Sequence, residues 1–203
     1  MNSLAELAID AHGGLDRWKR FEKVSAHLVQ GGVLWPVKGQ TGTLDETNVT
    51  VGLRSEWASH SPFGVPSRRF RFAHGRVAIE AADGTVLEEL REPRESFAGH
   101  TLQTPWTCSW RTSLAARCGH TLTYFRLAWP GVVCEELSSW NENGESDVEI
   151  AGGRLGAHYI DAYVEVSWIK FPTVHRTFAR QEDASVNREP LVVSIDISNI
   201  QSS

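Results

Sequence analysis

The chain has 203 residues, a hydrophobic fraction of 41%, a charged fraction of 22% and a formal net charge of -5. That length carries one fair-sized core or two small ones, and the composition is that of a folded globular chain rather than a disordered one. The negative balance, with no cluster of Lys or Arg to offset it, argues against nucleic acid as the partner. No run of about 18 apolar residues is present to span a membrane.

Along the chain, the start Met1-Asn2-Ser3-Leu4-Ala5-Glu6 has neither the basic stretch nor the apolar run of a secretory signal. Ser3 followed by Glu6 makes a capping-box pattern, and Leu4, Leu7, Ala8 and Ala11 recur at helical spacing. Gly13-Gly14 ends or bends this helix, and Leu15, Trp18 and Phe21 add a further turn, so residues 1–20 are predicted as a short amphipathic helix. From residue 22 the period changes to two. Val24, Ala26 and Leu28 alternate with polar neighbours, and Gly31-Gly32 reads as a bulge or bend in a long strand. Val49, Val51 and Leu53 mark a second strand. Ser67 to Leu90 reads as a three-stranded meander, with Asp83-Gly84 as the turn of its second hairpin, predicted as type I′.

Residues 95–153 lack a clear period and hold no acidic side chain between Glu95 and Glu135. The pattern returns over 157–200. Ile160, Ala162, Val164 and Val166 point one way, Lys170-Phe171-Pro172 reads as a turn, and Val174 to Arg180 as the next strand. Leu191, Val193, Ile195 and Ile197 alternate with Val192, Ser194, Asp196 and Ser198, the mark of an antiparallel strand with one wet face. The reading is one domain over residues 1–203, mainly β and antiparallel, with a short N-terminal helix.

Several of these segments carry a resemblance. Asp10 to Trp18, Ser96 to Leu102, Trp140 to Glu145, Glu165 to Pro172 and the last strand resemble bacterial proteins of uncharacterised function. These have the LolA/LolB-like, lipoprotein-carrier half-barrel type. The resemblance implies an incomplete, strongly curved sheet wrapped around a helix, and with it a cavity for an apolar small molecule. Two stretches depart from it. Only Ser146 to Ala151 stand where such proteins carry further strands, and Trp106 to Thr123 lacks the aromatic, partly acidic character expected there. The known carriers are exported, so carriage of lipoproteins is not transferred to a chain read as cytoplasmic.

Four constellations bear on chemistry. Cys108, Cys118, His120 and Cys134 are candidate metal ligands, but Cys118 and His120 form the one close pair, so no metal or cofactor is expected. An odd number of cysteines fits free thiols in a reducing cytoplasm. His27, His100, His158 and His175 fall on or beside predicted strands and are acid/base candidates, with Asp161 or Glu165 as a carboxylate partner. Strand histidines also sit on wet faces. Glu88, Glu89, Arg91, Arg94 and Glu95 read as a solvated strand end. Trp18, Trp35, Trp57, Phe63, Phe70, Phe72, Trp129 and Trp168 line an apolar pocket or fill a core. No G-x-S-x-G, H-E-x-x-H, phosphate-loop or dinucleotide motif occurs. The expected function is binding or carriage of an apolar small molecule. An enzyme acting on such a molecule in the same cavity, and a protein that pairs through a sheet edge, are the alternatives. Oligomeric state has no signature.

Overall fold

The computed structural model describes residues 7, 10–55, 57–73, 75–92, 101, 103–105, 156–181, 183 and 185–203. Leu7, Asp10 and Ala11 are helical. Gly13 and Gly14 then turn the chain at φ +99° and +83°, ahead of a one-turn helix α1 (Leu15–Trp18). A side chain at Gly13 would place its Cβ 2.3 Å from the Trp168 carbonyl oxygen, which is why this close approach takes a glycine. Trp18 is buried edge-on against Phe171, ring centroids 5.9 Å apart.

Most of the remaining described residues build one antiparallel sheet. Its strands are β1 (Lys23–Gly31), β2 (Glu46–Gly52), β3 (Trp57–Ser61), β4 (Arg68–Ala73), β5 (Arg76–Ala81), β6 (Val86–Arg91), β7 (Gly156–Val166), β8 (Ile169–Arg180), β9 (Val186–Asn187) and β10 (Val193–Ser202). The order is β6-β5-β4-β3-β2-β1-β10-β8-β7, with β9 paired to β8. The sheet is antiparallel, as the period-two patterning predicts, and it is open and curled, the half-barrel that the resemblance implies. Its inner face is apolar: Leu28, Val49, Val51, Phe70, Ile79, Phe171 and Ile197 are all buried there. Each such side chain contributes about 1.5–3 kcal/mol by leaving water.

The parity of β10 changes once. Asn199 takes φ +51°, and the β1–β10 register slips between Ser25 and His27. This bulge turns Ile200 onto the same buried face as Ile195 and Ile197, although simple alternation would face it outward. On the outer face Glu80 is buried beside Arg69 (2.7 Å) and Arg71 (4.0 Å). The two edges differ in character. β6 carries Glu88, Glu89 and Arg91, with Glu89 ion-paired to Arg76 and Arg91. β7 exposes Tyr159, Ile160, Tyr163 and Val164.

Four local features differ from the sequence reading. β1 ends at Gly31 instead of bending. Gly32, at φ +110°, leads into a second one-turn helix α2 (Leu34–Val37), fastened by the Val33 and Leu34 N–H groups donating to the carbonyls of Leu191 and Val192. At Asp83-Gly84 only Gly84 takes positive φ. Ala81 N–H donates to Thr85, and the β5–β6 register shifts, so this is a type I turn closed by a glycine bulge rather than type I′. The β7–β8 hairpin turns at Ser167-Trp168, both at positive φ, with Val166 opposite Ile169. Lys170 to Pro172 therefore lie inside β8. Proline is tolerated there because β10 pairs with β8 only over Val174 to Thr177. Strand β3, finally, has no counterpart in the sequence reading.

Candidate functional site

β3 inserts between β2 and β4 so that Ala58 and His60 face inward and Trp57 and Ser59 outward. His60 stands opposite Val49 on one side and Phe70 on the other. It is 1% exposed, and its ring centroid lies 5.8 Å from that of Phe70. Phe63 packs on Phe70 in turn at 5.6 Å. Among the described residues neither ring nitrogen of His60 has a hydrogen-bond partner. Burial pushes the imidazole down to about 4. At neutral pH it is therefore an uncharged ring offering one N–H donor and one lone pair to an apolar interior.

The polar side chains buried elsewhere along β2 and after α2 are satisfied. Thr47 Oγ1 donates to the Pro62 carbonyl at 2.9 Å, and Thr43 Oγ1 to Gln40 Oε1 at 3.3 Å. Lys38, fully buried, donates through Nζ to the carbonyls of Thr101 (2.7 Å) and Thr104 (3.2 Å), and burial draws its ammonium below the usual lysine range. Nearly all buried polar groups in folded proteins are hydrogen-bonded, so His60 stands out against this neighbourhood.

The aromatic candidates are spread over the molecule. Trp18, Phe63, Phe70 and Phe72 belong to the inner-face core. Trp35 is half-buried and donates Nε1–H to the Gly31 carbonyl at 3.1 Å. Trp57 lies on the outer face with Lys23 Nζ 5.8 Å from its ring centroid. Trp168 is 68% exposed at the β7–β8 turn, with Arg17 5.5 Å from its ring. Trp129 lies outside the described residues.

Of the acid/base candidates, His27 is on the outer face of β1, its Nδ1 3.1 Å from Asn48 Oδ1 and its Nε2 3.3 Å from Glu46. His158 and His175 come together: Nε2 of the first is 3.1 Å from Nδ1 of the second. Among the described residues neither Asp161 nor Glu165 hydrogen-bonds to them. Asp161 accepts from the Ala162 N–H, and Glu165 stands opposite Lys170. His100, Cys108, Cys118, His120, Cys134, Arg94 and Glu95 lie outside the described residues.

An open cleft of about 450 Å³ adjoins the β7–β8 turn, lined by Ala11, His12, Tyr163, Val164, Glu165 and Lys170. His12 Nδ1–H donates to the Lys170 carbonyl at 2.9 Å, which ties the N-terminal segment to the hairpin. Glu165 and Lys170 bring one charge of each sign to a lining that is otherwise largely apolar.

Sequence reasoning missed His60, Lys38 and His12. The one available signal was a histidine at the inward parity of Trp57 to Ser61, where alternation calls for an apolar residue. No protein-family model matches the chain, and no curated protein matches it by sequence. Among solved structures, the lipoprotein LppX of Mycobacterium tuberculosis is similar at a TM-score of 0.32 and 11% identity, covering 98% of this chain and 96% of that one. Similarity at that level decides neither fold nor function.

Proposed function

We propose that this chain binds an apolar small molecule carrying one uncharged polar group, such as a long-chain alcohol, against the inner face of its open sheet. The polar group is held by His60. The observation that carries this reading is the buried imidazole with neither nitrogen partnered, set in an otherwise apolar wall. Apolar contact supplies about 25 cal/mol per Å² removed from water. A ligand hydroxyl meeting His60 offsets the roughly 1–3 kcal/mol that an unmade buried hydrogen bond costs. A neutral ring in an apolar setting accepts a hydroxyl in preference to a charged group, whose desolvation it does not compensate.

Binding is favoured over catalysis at this point because, among the described residues, no carboxylate hydrogen-bonds His60 to make it a general base. Since the ring is covered, a ligand has to displace neighbouring side chains to reach it, so association is slow for a small molecule.

The reading is tested by comparing the native mass of the purified chain with its denatured mass, followed by titration with an uncharged apolar dye. A bound lipophile, or saturable dye fluorescence that is lost on adding a long-chain alcohol, is the expected result. A chain that carries nothing and leaves the dye unchanged overturns the reading.

A further inference from the structure

His158 on β7 stands directly opposite Thr177 of β8, two residues along from His175 on the same face. The two rings approach with centroids 5.2 Å apart and a tilt of 33°, and the His158 Nε2 to His175 Nδ1 distance is 3.1 Å. The other nitrogen of His175 lies 3.3 Å from the Pro172 carbonyl. A carbonyl only accepts, so Nε2 of His175 carries the hydrogen and Nδ1 presents its lone pair toward His158. Metal-bound histidines share this arrangement, with one nitrogen anchored by donation to a backbone carbonyl while the other ligates. Burial at 2% exposure keeps the ring uncharged, and Ile195, opposite His175 on β10, gives it an apolar flank.

Two nitrogens each about 2.1 Å from one ion and separated by this distance subtend an angle of roughly 100° at it, which suits tetrahedral and more open coordination. In the free protein His158 Nε2–H donates to His175 Nδ1. When His158 moves that proton to its own Nδ1, both facing nitrogens present lone pairs, and no proton is gained or lost.

We infer that His158 and His175 form a two-histidine site for a borderline divalent transition ion of the zinc class. Among the described residues no third histidine, cysteine or carboxylate joins them. The pair faces the same inner side of the sheet as His60 but lies on other strands. β8 lies four strands from β3 in the sheet order, about 19 Å along the sheet at the usual strand spacing.

The test is a zinc titration of the full chain near neutral pH, read on the imidazole nitrogen resonances and repeated in His158→Gln. The expected result is that His158 Nε2 and His175 Nδ1 shift together with one midpoint. In the variant, the His175 response is lost or needs at least about tenfold more zinc. Absence of a joint shift at saturating zinc overturns the inference in the wild-type chain alone. So does a variant in which His175 responds with its midpoint moved less than about tenfold.

Discussion

His60 and Phe70 face each other across the β3–β4 ladder with ring centroids 5.8 Å apart and a tilt of 51°, and the imidazole makes no hydrogen bond there. A ring contact of this kind contributes well under what a buried donor and acceptor lose on leaving water. His60 is thus a local destabilisation inside the most apolar wall of the fold. Replacing it by leucine, of similar volume and without polar atoms, is expected to stabilise the ligand-free chain by about 1–3 kcal/mol in urea unfolding. A loss of stability on that substitution would mean that the ring has a partner.

Acid sensitivity follows from the same ring. Its folded value, about 4, lies below the ordinary 6.5, so the unfolded chain takes up a proton before the folded one does. The contribution of His60 is complete above pH 6.5, falls as the pH drops toward 4, and levels off below. The total is about 3 kcal/mol. Urea midpoints measured across this range are expected to fall on acidification in the wild-type chain, and to fall distinctly less in His60→Leu.

The outer face holds a buried ionisable group of its own. Glu80 is shielded beside Arg69 at 2.7 Å, while Arg71 is 4.0 Å away. Arg69→Ala leaves the carboxylate with the weaker partner, and a cost of about 1–3 kcal/mol is expected, below that of a fully enclosed pair because Arg69 is partly solvated. Glu80→Gln keeps the shape and removes the charge, and is expected to cost less. Equal stability of wild type and Arg69→Ala would show that Arg71 suffices.

Two glycines separate backbone strain from crowding. Gly32 sits at φ +110°, where a Cβ would lie only 2.4 Å from the Val192 carbonyl oxygen, whereas Gly14 sits at φ +83° with open space around it. Gly14→Ala bears the cost of the conformation alone, about 1 kcal/mol. Gly32→Ala must also push back β10, and an additional loss of at least about 2 kcal/mol is expected in the same urea assay. Similar losses at both positions would show that the chain around Gly32 yields.

Much of the sheet is legible because an antiparallel strand with one buried face must alternate. Val49 and Val51, Phe70 and Phe72, and Ile195 and Ile197 announce β2, β4 and β10 in this way. What alternation does not specify is register. The turn at Ser167-Trp168 has no glycine or asparagine to signal positive φ, yet it alone sets Val166 opposite Ile169 and, further along, Ile160 opposite His175. The approach of His158 to His175 is therefore invisible without the turn. β3 is hidden for a different reason: His60 occupies an inward position with a polar side chain, so the residue that marks the candidate site is the one that disguises its strand.

The most direct measurement compares the affinity of dodecanol with that of dodecane, for the wild-type chain and for His60→Leu. The wild type is expected to prefer the alcohol by about tenfold, the worth of one buried hydrogen bond. The variant is expected to bind both and to lose that preference. Equal binding of the two by the wild type, or a preference for the alcohol that survives in His60→Leu, would contradict the role assigned to His60.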